Sequence, residues 1–354
     1  MRDDRRVIDL FGIELPILQA PMAGAQGPDL AAAVCEAGGL GALPCAMLTP
    51  EDARAQIGVV RQRTQAPLNL NFFVHRPPAP DLAREAAWRE RLLPYYQAYG
   101  VSAAPVTAGP ARAPFDAAWC ELVEQTNPAA VSFHFGLPEA PLLQRVRASG
   151  AKIIACATTV AEARHLEARG VDAIIAQGAE AGGHRGVFLS EDIASQPGLF
   201  ALLPQVVDAV KVPVIAAGGI GDGRAIAAAF VLGAAGVQIG TAYLFTPEAT
   251  ISPLHRAALA DARDDATALT NVFTGRPARS IINRMVREVG PMNAAAPAFP
   301  LAAHANAPLR AAAEKAGSAD FSPLWSGQAA ALGRAMGAGD LTRTLWREAQ
   351  AALG

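Results

Sequence analysis

Short apolar runs separated by amphipathic stretches recur along the first two thirds of the chain. Strand-length runs fall at 17–20, 40–43, 68–71, 130–133, 152–155, 173–177, 214–216 and 237–239. Helical periodicity marks 29–36, 50–63, 115–124, 140–149, 159–169, 202–210 and 223–232 between them. Runs such as KIIA and AIIAQ are apolar at successive rather than alternate positions, which suits strands covered on both faces of a parallel sheet. Eight such strands alternating with helices predict an α/β fold, a (β/α)8 TIM barrel with inserted and C-terminal helical additions.

Two stretches interrupt the rhythm and set the expected organisation. Residues 1–75 form the first half of the barrel, and 76–114 form a helical excursion rich in Pro, Ala and Arg that carries Tyr95, Tyr96 and Tyr99. Residues 115–245 complete the barrel, and 246–354 supply helical additions packed around its mouth. Within that last part, 246–308 is irregular and ends in an Ala/Pro-rich connection. Helical periodicity returns at 323–333 and 341–353, with Gly337 and Gly339 as a turn between.

Composition narrows the function classes. With 354 residues, 51% of them hydrophobic and 18% charged, the chain can bury a large core without a metal or disulfide staple. Its 30 basic residues are balanced by 32 acidic ones, so nothing suggests a nucleic-acid partner. Cys35, Cys45, Cys120 and Cys156 are widely spaced, and neither a zinc site nor a redox dithiol is indicated; no metal is expected. The N-terminus lacks the apolar run of a signal peptide, and no later stretch is long and apolar enough for a span, so a cytoplasmic protein without membrane association is expected.

The chemistry concentrates at predicted strand ends. The seventh and eighth strands end in glycine turns, Gly218-Gly219 and Gly240-Thr241, placed where barrels commonly bind phosphate through backbone N–H groups. The sixth strand runs into QGAEAGGHRGVF, where Gly182 and Gly183 let the backbone approach a flat ligand while His184 points into the site; a histidine that merely caps or packs is the alternative. His134 closes the fourth strand in VSFHFG, between Phe133 and Phe135. Ala20, Pro21 and Met22 follow the first strand and Asn71 ends the third. Carbonyls near Ala20 and Met22, with the amides of Asn71 or Gln177, could satisfy the polar edge of an isoalloxazine ring; Asn69 reads as a polar strand-end cap. The stretch GGIGDGR departs from the G-x-G-x-x-G dinucleotide spacing, and the chain contains no H-x-x-x-H, G-x-S-x-G or P-loop pattern.

Taken in order, LQAPMAG, NLNFFV, FHFGLP, AQGAEAGGHRG, AAGGIGDGR, GVQIGTAYL, FTGRPAR and LWSGQ resemble the nitronate monooxygenases over nearly the whole chain. The resemblance implies an FMN enzyme that oxidises alkyl nitronates such as propionate 3-nitronate with O2, in detoxification, as a monomer or homodimer. It implies that Gly219, Gln238, Ile239, Gly240 and Thr241 hold the FMN phosphate and that Asn71, Gln177 and Gly182 contact other parts of the cofactor. It implies catalytic roles for His184 over the flavin and for His134 as a second positive or hydrogen-bonding group at the nitro oxygens. The segment 291–308 departs from the family in offering Phe299 and His304 but no tyrosine. Rival readings on the same barrel are a flavin-type enoyl-acyl-carrier-protein reductase, an NADH:quinone reductase, and a non-catalytic flavin-binding barrel.

Overall fold

The computed structural model describes residues 4–104, 112–190 and 192–354. Eight parallel strands form one sheet: β1 (Ile17–Gln19), β2 (Gly41–Pro44), β3 (Leu68–Phe73), β4 (Ala130–His134), β5 (Lys152–Ala157), β6 (Ala173–Gln177), β8 (Val214–Ala217) and β9 (Gly236–Ile239). A short strand, β7 (Gly183–His184), stands outside the barrel. The sheet runs in the order β1-β9-β8-β6-β5-β4-β3-β2. Its ends meet where the Gln19 amide bonds the Leu40 carbonyl at 2.9 Å and the Leu40 amide bonds that of Ile17 at 2.9 Å, which brings the sheet round into a barrel.

Both faces of the strands are buried, as their unbroken apolar runs require. Leu18, Ile154, Cys156, Ile175 and Ile215 fill the interior, whereas Ile153, Ala155, Ile174 and Val214 pack outward under the helices. The bottom is plugged by the helix Arg6–Phe11, whose Val7 and Phe11 join the interior cluster. The four cysteines are buried and unpaired. Among the described residues no helix is long and apolar enough to cross a membrane, and no three His, Cys, Asp or Glu side chains group as metal ligands.

The additions differ from expectation in detail. Residues 323–333 fold as turns with a short 3-10 segment, Ala330–Leu332, rather than as a helix. Pro323 and two glycines outweigh the periodicity there, and a Cβ on Gly327 would sit 2.9 Å from the Glu180 carbonyl. The irregular stretch contains a hairpin, β10 (Thr267–Thr270) and β11 (Ala278–Ile281), whose second strand pairs with β7. Helix Ala302–Lys315 runs through Pro308. Its face of Leu309 and Ala313 packs against Trp88, Leu92 and Tyr96 on helix Leu82–Ala98, and that burial outweighs the proline's missing donor. Helix Ala338–Ala352 starts at Gly337, so Gly339 lies inside it rather than in a turn.

Candidate active site

The C-terminal strand ends open on a cavity. Ala20, Pro21 and Met22 line it after β1, Asn71 and Phe73 from β3, and His134 from β4. Gln177, Gly182, Gly183 and His184 line it from β6 and β7, Gly218 and Gly219 after β8, and Gln238, Gly240 and Thr241 at the end of β9. Of the residues expected to be catalytic or cofactor-binding, Ile239 does not line it. Its side chain is buried in the core and its carbonyl accepts the Ala20 amide at 2.8 Å, so any ligand contact there is left to its neighbours.

The glycine turns provide open donors. Gly218 and Gly219 adopt φ of 109° and 69°, a region that side chains rarely enter. Among the described residues no acceptor lies against the N–H groups of Gly218, Gly219, Ile220 or Gly240. Opposite them, a Cβ on Gly182 would lie 2.5 Å from the Gly327 amide, so the loops after β6 and around Ser326 meet backbone to backbone. Thr241 ties this corner by accepting the Gly327 amide at 2.9 Å.

The polar side chains divide into engaged and open groups. Gln177 donates to the His184 carbonyl at 3.1 Å and accepts the Gly186 amide at 2.9 Å, so its amide braces the loop rather than facing a ligand unbonded. Asn71 donates to Ser132 Oγ at 3.0 Å. Gln238 is the open one: its Oε1 is buried without a partner. A group buried that way costs stability unless a ligand donor completes it. The Ala20 and Met22 carbonyls already accept bonds from the Gln19 amide and the Ala25 N–H.

Both histidines sit at the mouth as neutral rings. His184 Nε2 lies 2.9 Å from Thr274 Oγ1, and burial, reinforced by Arg112, His134 and Arg276, holds its pKa well below the ordinary value. His134 Nε2 lies 3.2 Å from the His184 carbonyl, and burial holds its pKa near 4 against that bond. Of the two roles expected for His134, a positive or a hydrogen-bonding group, burial disfavours the charged one and leaves the hydrogen-bonding one. The backbone turns sharply just after it, with Phe135 at a φ of 74°, a strained value for a bulky residue. Arg276 sits over the Phe135 ring, 4.0 Å from its centroid, and donates to the Val187 carbonyl.

Several residues at the site escape sequence reasoning. Arg112, in the excursion, reaches the cavity wall, and among the described residues no Asp or Glu lines the cavity with it. Thr274 comes from FTGRPAR and Trp325 from LWSGQ, 5.3 Å from the His184 ring; both motifs are visible in sequence, but nothing local aims them at the sixth strand. His255 also lines the cavity, its Nε2 3.1 Å from the Trp325 carbonyl. Phe299 packs on His184 at 5.3 Å and on His75 at 4.8 Å, whereas His304 does not line the cavity.

Comparison with known proteins agrees with this geometry. The family model of nitronate monooxygenase matches residues 4–348. A nitronate monooxygenase of Paraburkholderia phytofirmans is 42% identical, over 97% of this chain and 94% of its own length. Another, of Pseudomonas aeruginosa, is 43% identical over 97% of this chain and 98% of its own. The fold superposes on nitroalkane oxidase from Streptomyces ansochromogenes with a TM-score of 0.89 at 42% identity, covering 98% of each chain. It superposes on FabK from Thermotoga maritima with a TM-score of 0.75 at 28% identity, covering 98% of this chain and 96% of that one. A barrel with its polar groups gathered at the strand ends, matched from end to end in these ways, places the chain in the nitronate monooxygenase family, an enzyme family to which it belongs.

Proposed function

We propose that this chain binds FMN and oxidises alkyl nitronates with O2 to carbonyl compounds plus nitrite or nitrate, as a detoxification activity. The observation that carries the reading is one cavity lined by neutral His184 and His134, the unpartnered Gln238 amide oxygen and open glycine N–H groups, with no acid among the described lining residues.

The residues present fit FMN. The unbonded N–H groups around Gly218, Gly219 and Gly240 suit a phosphate; Gln238, expected at the phosphate, instead presents an amide oxygen that lacks a donor, which a flavin's pyrimidine edge carries. Bound FMN would supply the electron acceptor for the nitronate. The chain's own part is to hold and orient the anion. An uncharged His184, anchored through Thr274, offers a fixed hydrogen-bonding ring, and for a neutral nitroalkane an imidazole that is already deprotonated.

The test is oxygen uptake by the purified yellow protein with propionate 3-nitronate and no nicotinamide, after chromatography of the released cofactor. FMN release and full turnover without NADH or NADPH are expected. FAD as the main cofactor would overturn the FMN assignment, and strict dependence on a reduced nicotinamide would instead favour the reductases that share the barrel.

A further inference from the structure

The cavity holds a cation that the handling of a nitro group leaves unused. Arg112 lines the wall, and its guanidinium lies 5.8 Å from the Phe299 ring, the same ring that packs 5.3 Å from His184. Arg112 and His184 therefore flank one aromatic residue. Among the described residues no carboxylate pairs with Arg112; its one charged influence is the like charge of Arg310. A guanidinium so desolvated, with no acid against it, is costly in isolation, and burial accordingly lowers its pKa. Arg276 differs, since it is stacked on Phe135 and bonded to the Val187 carbonyl.

We infer that Arg112 is a specificity residue that grips a carboxylate at the far end of the substrate, so that the site prefers nitronates carrying a second anionic group. This rests on the nitronate-oxidising reading above. The planar guanidinium forms paired, charge-assisted hydrogen bonds to a carboxylate, and in a partly dehydrated wall such bonds discriminate strongly against a substrate that lacks the group. The nitronate end would then face His184 and the carboxylate end Arg112, with Phe299 packed between the two residues.

The experiment compares propionate 3-nitronate with propyl 1-nitronate, which has the same carbon chain without the carboxylate oxygens. In Arg112→Gln the KM for propionate 3-nitronate should rise tenfold or more with little change in kcat. The ratio of kcat/KM between the two substrates should fall at least tenfold, and Arg112→Lys should restore part of it. Thermal stability of Arg112→Gln should be unchanged or higher, because a half-buried charge without a carboxylate partner has been removed. Equal losses on both nitronates would show that Arg112 serves the nitro end and overturn the inference, as would an unmoved ratio. Failure of the wild-type protein to oxidise either nitronate would overturn the functional reading, and this inference with it.

Discussion

The ring of His134 points its Nε2 at the main-chain carbonyl of His184, 3.2 Å away, and the Gln177 amide donates to the same oxygen at 3.1 Å. Because a carbonyl only accepts, His134 bonds it as the Nε2–H tautomer. Two side chains from β4 and β6 thus fix the backbone of the short strand that carries His184. In the proposed reaction this gives His134 a positioning role, exerted through where it puts His184.

His134→Leu should therefore lower nitronate turnover about tenfold, the order expected for one lost hydrogen bond in a dry site, while leaving flavin content near wild type. His134→Gln, which keeps a donor, should recover much of the rate. Steady-state kinetics beside the flavin absorbance ratio checks this. A wild-type rate in His134→Leu would mean that Gln177 holds the carbonyl unaided.

How much of this was legible beforehand follows from what each element depends on. Strands such as Lys152–Ala157 and Ala173–Gln177 announce themselves because burial on both faces demands continuous apolar residues. The Gly218-Gly219 turn does so because few other residues tolerate its φ. Helix Arg6–Phe11 is too short for a period to emerge, and β7 is a pair of residues that becomes a strand only when Ala278 and Arg279 arrive beside it. Arg112 is invisible for a related reason: one arginine in a Pro- and Arg-rich excursion acquires meaning only from the wall it reaches. The neutrality of His134 and His184 is likewise a property of burial by distant segments.

Gly182 and Gly183 should respond differently to the same methyl group. A Cβ on Gly182 meets the Gly327 amide at 2.5 Å and the Ser326 carbonyl carbon at 2.6 Å, backbone on both counts, whereas one on Gly183 meets nothing within 4 Å. Gly183 has a φ of 71°, so Gly183→Ala carries strain of about 1–2 kcal/mol. Gly182→Ala should lower the melting temperature more and lose most of the bound flavin. Thermal unfolding and cofactor stoichiometry of the two variants check this, and equal behaviour would refute the backbone-contact argument.

Acid should destabilise the fold before the carboxylates titrate. His75, His134 and His255 are each held near 4 by burial, against 6.5 for an exposed imidazole. Between those values the unfolded chain binds more protons than the folded one. The stability they support is complete above about pH 6.5 and is lost as pH falls toward 4, at about 1.4 kcal/mol per histidine per pH unit. Urea midpoints at pH 7.5 and 5.0 should show the drop, and His75→Phe should make it shallower. Midpoints that do not move would mean that these rings charge in the folded state.

The bond between His184 Nε2 and Thr274 Oγ1, 2.9 Å long, makes a separable prediction about orientation and chemistry. Thr274→Val keeps the shape and removes the partner, leaving an unsatisfied ring nitrogen in a desolvated wall, so turnover should fall on the order of tenfold; Thr274→Ser should rescue it. For the ring itself, His184→Asn retains a hydrogen-bonding group and should keep part of the nitronate activity, whereas His184→Leu should lose about a hundredfold, the scale of one electrostatic contact to a reacting anion. Neutral nitroalkanes impose a different demand, since a proton must leave carbon, and both variants should lose that activity almost wholly. Because His184 is held well below its ordinary pKa, its own titration should not depress the nitroalkane rate between pH 8 and 6. A matched nitroalkane and nitronate pair, measured across that range in all four variants, separates positioning from proton transfer. A rate that falls away around pH 6.5 would show that His184 titrates as an exposed imidazole, and unchanged kinetics in His184→Leu would remove it from the chemistry altogether.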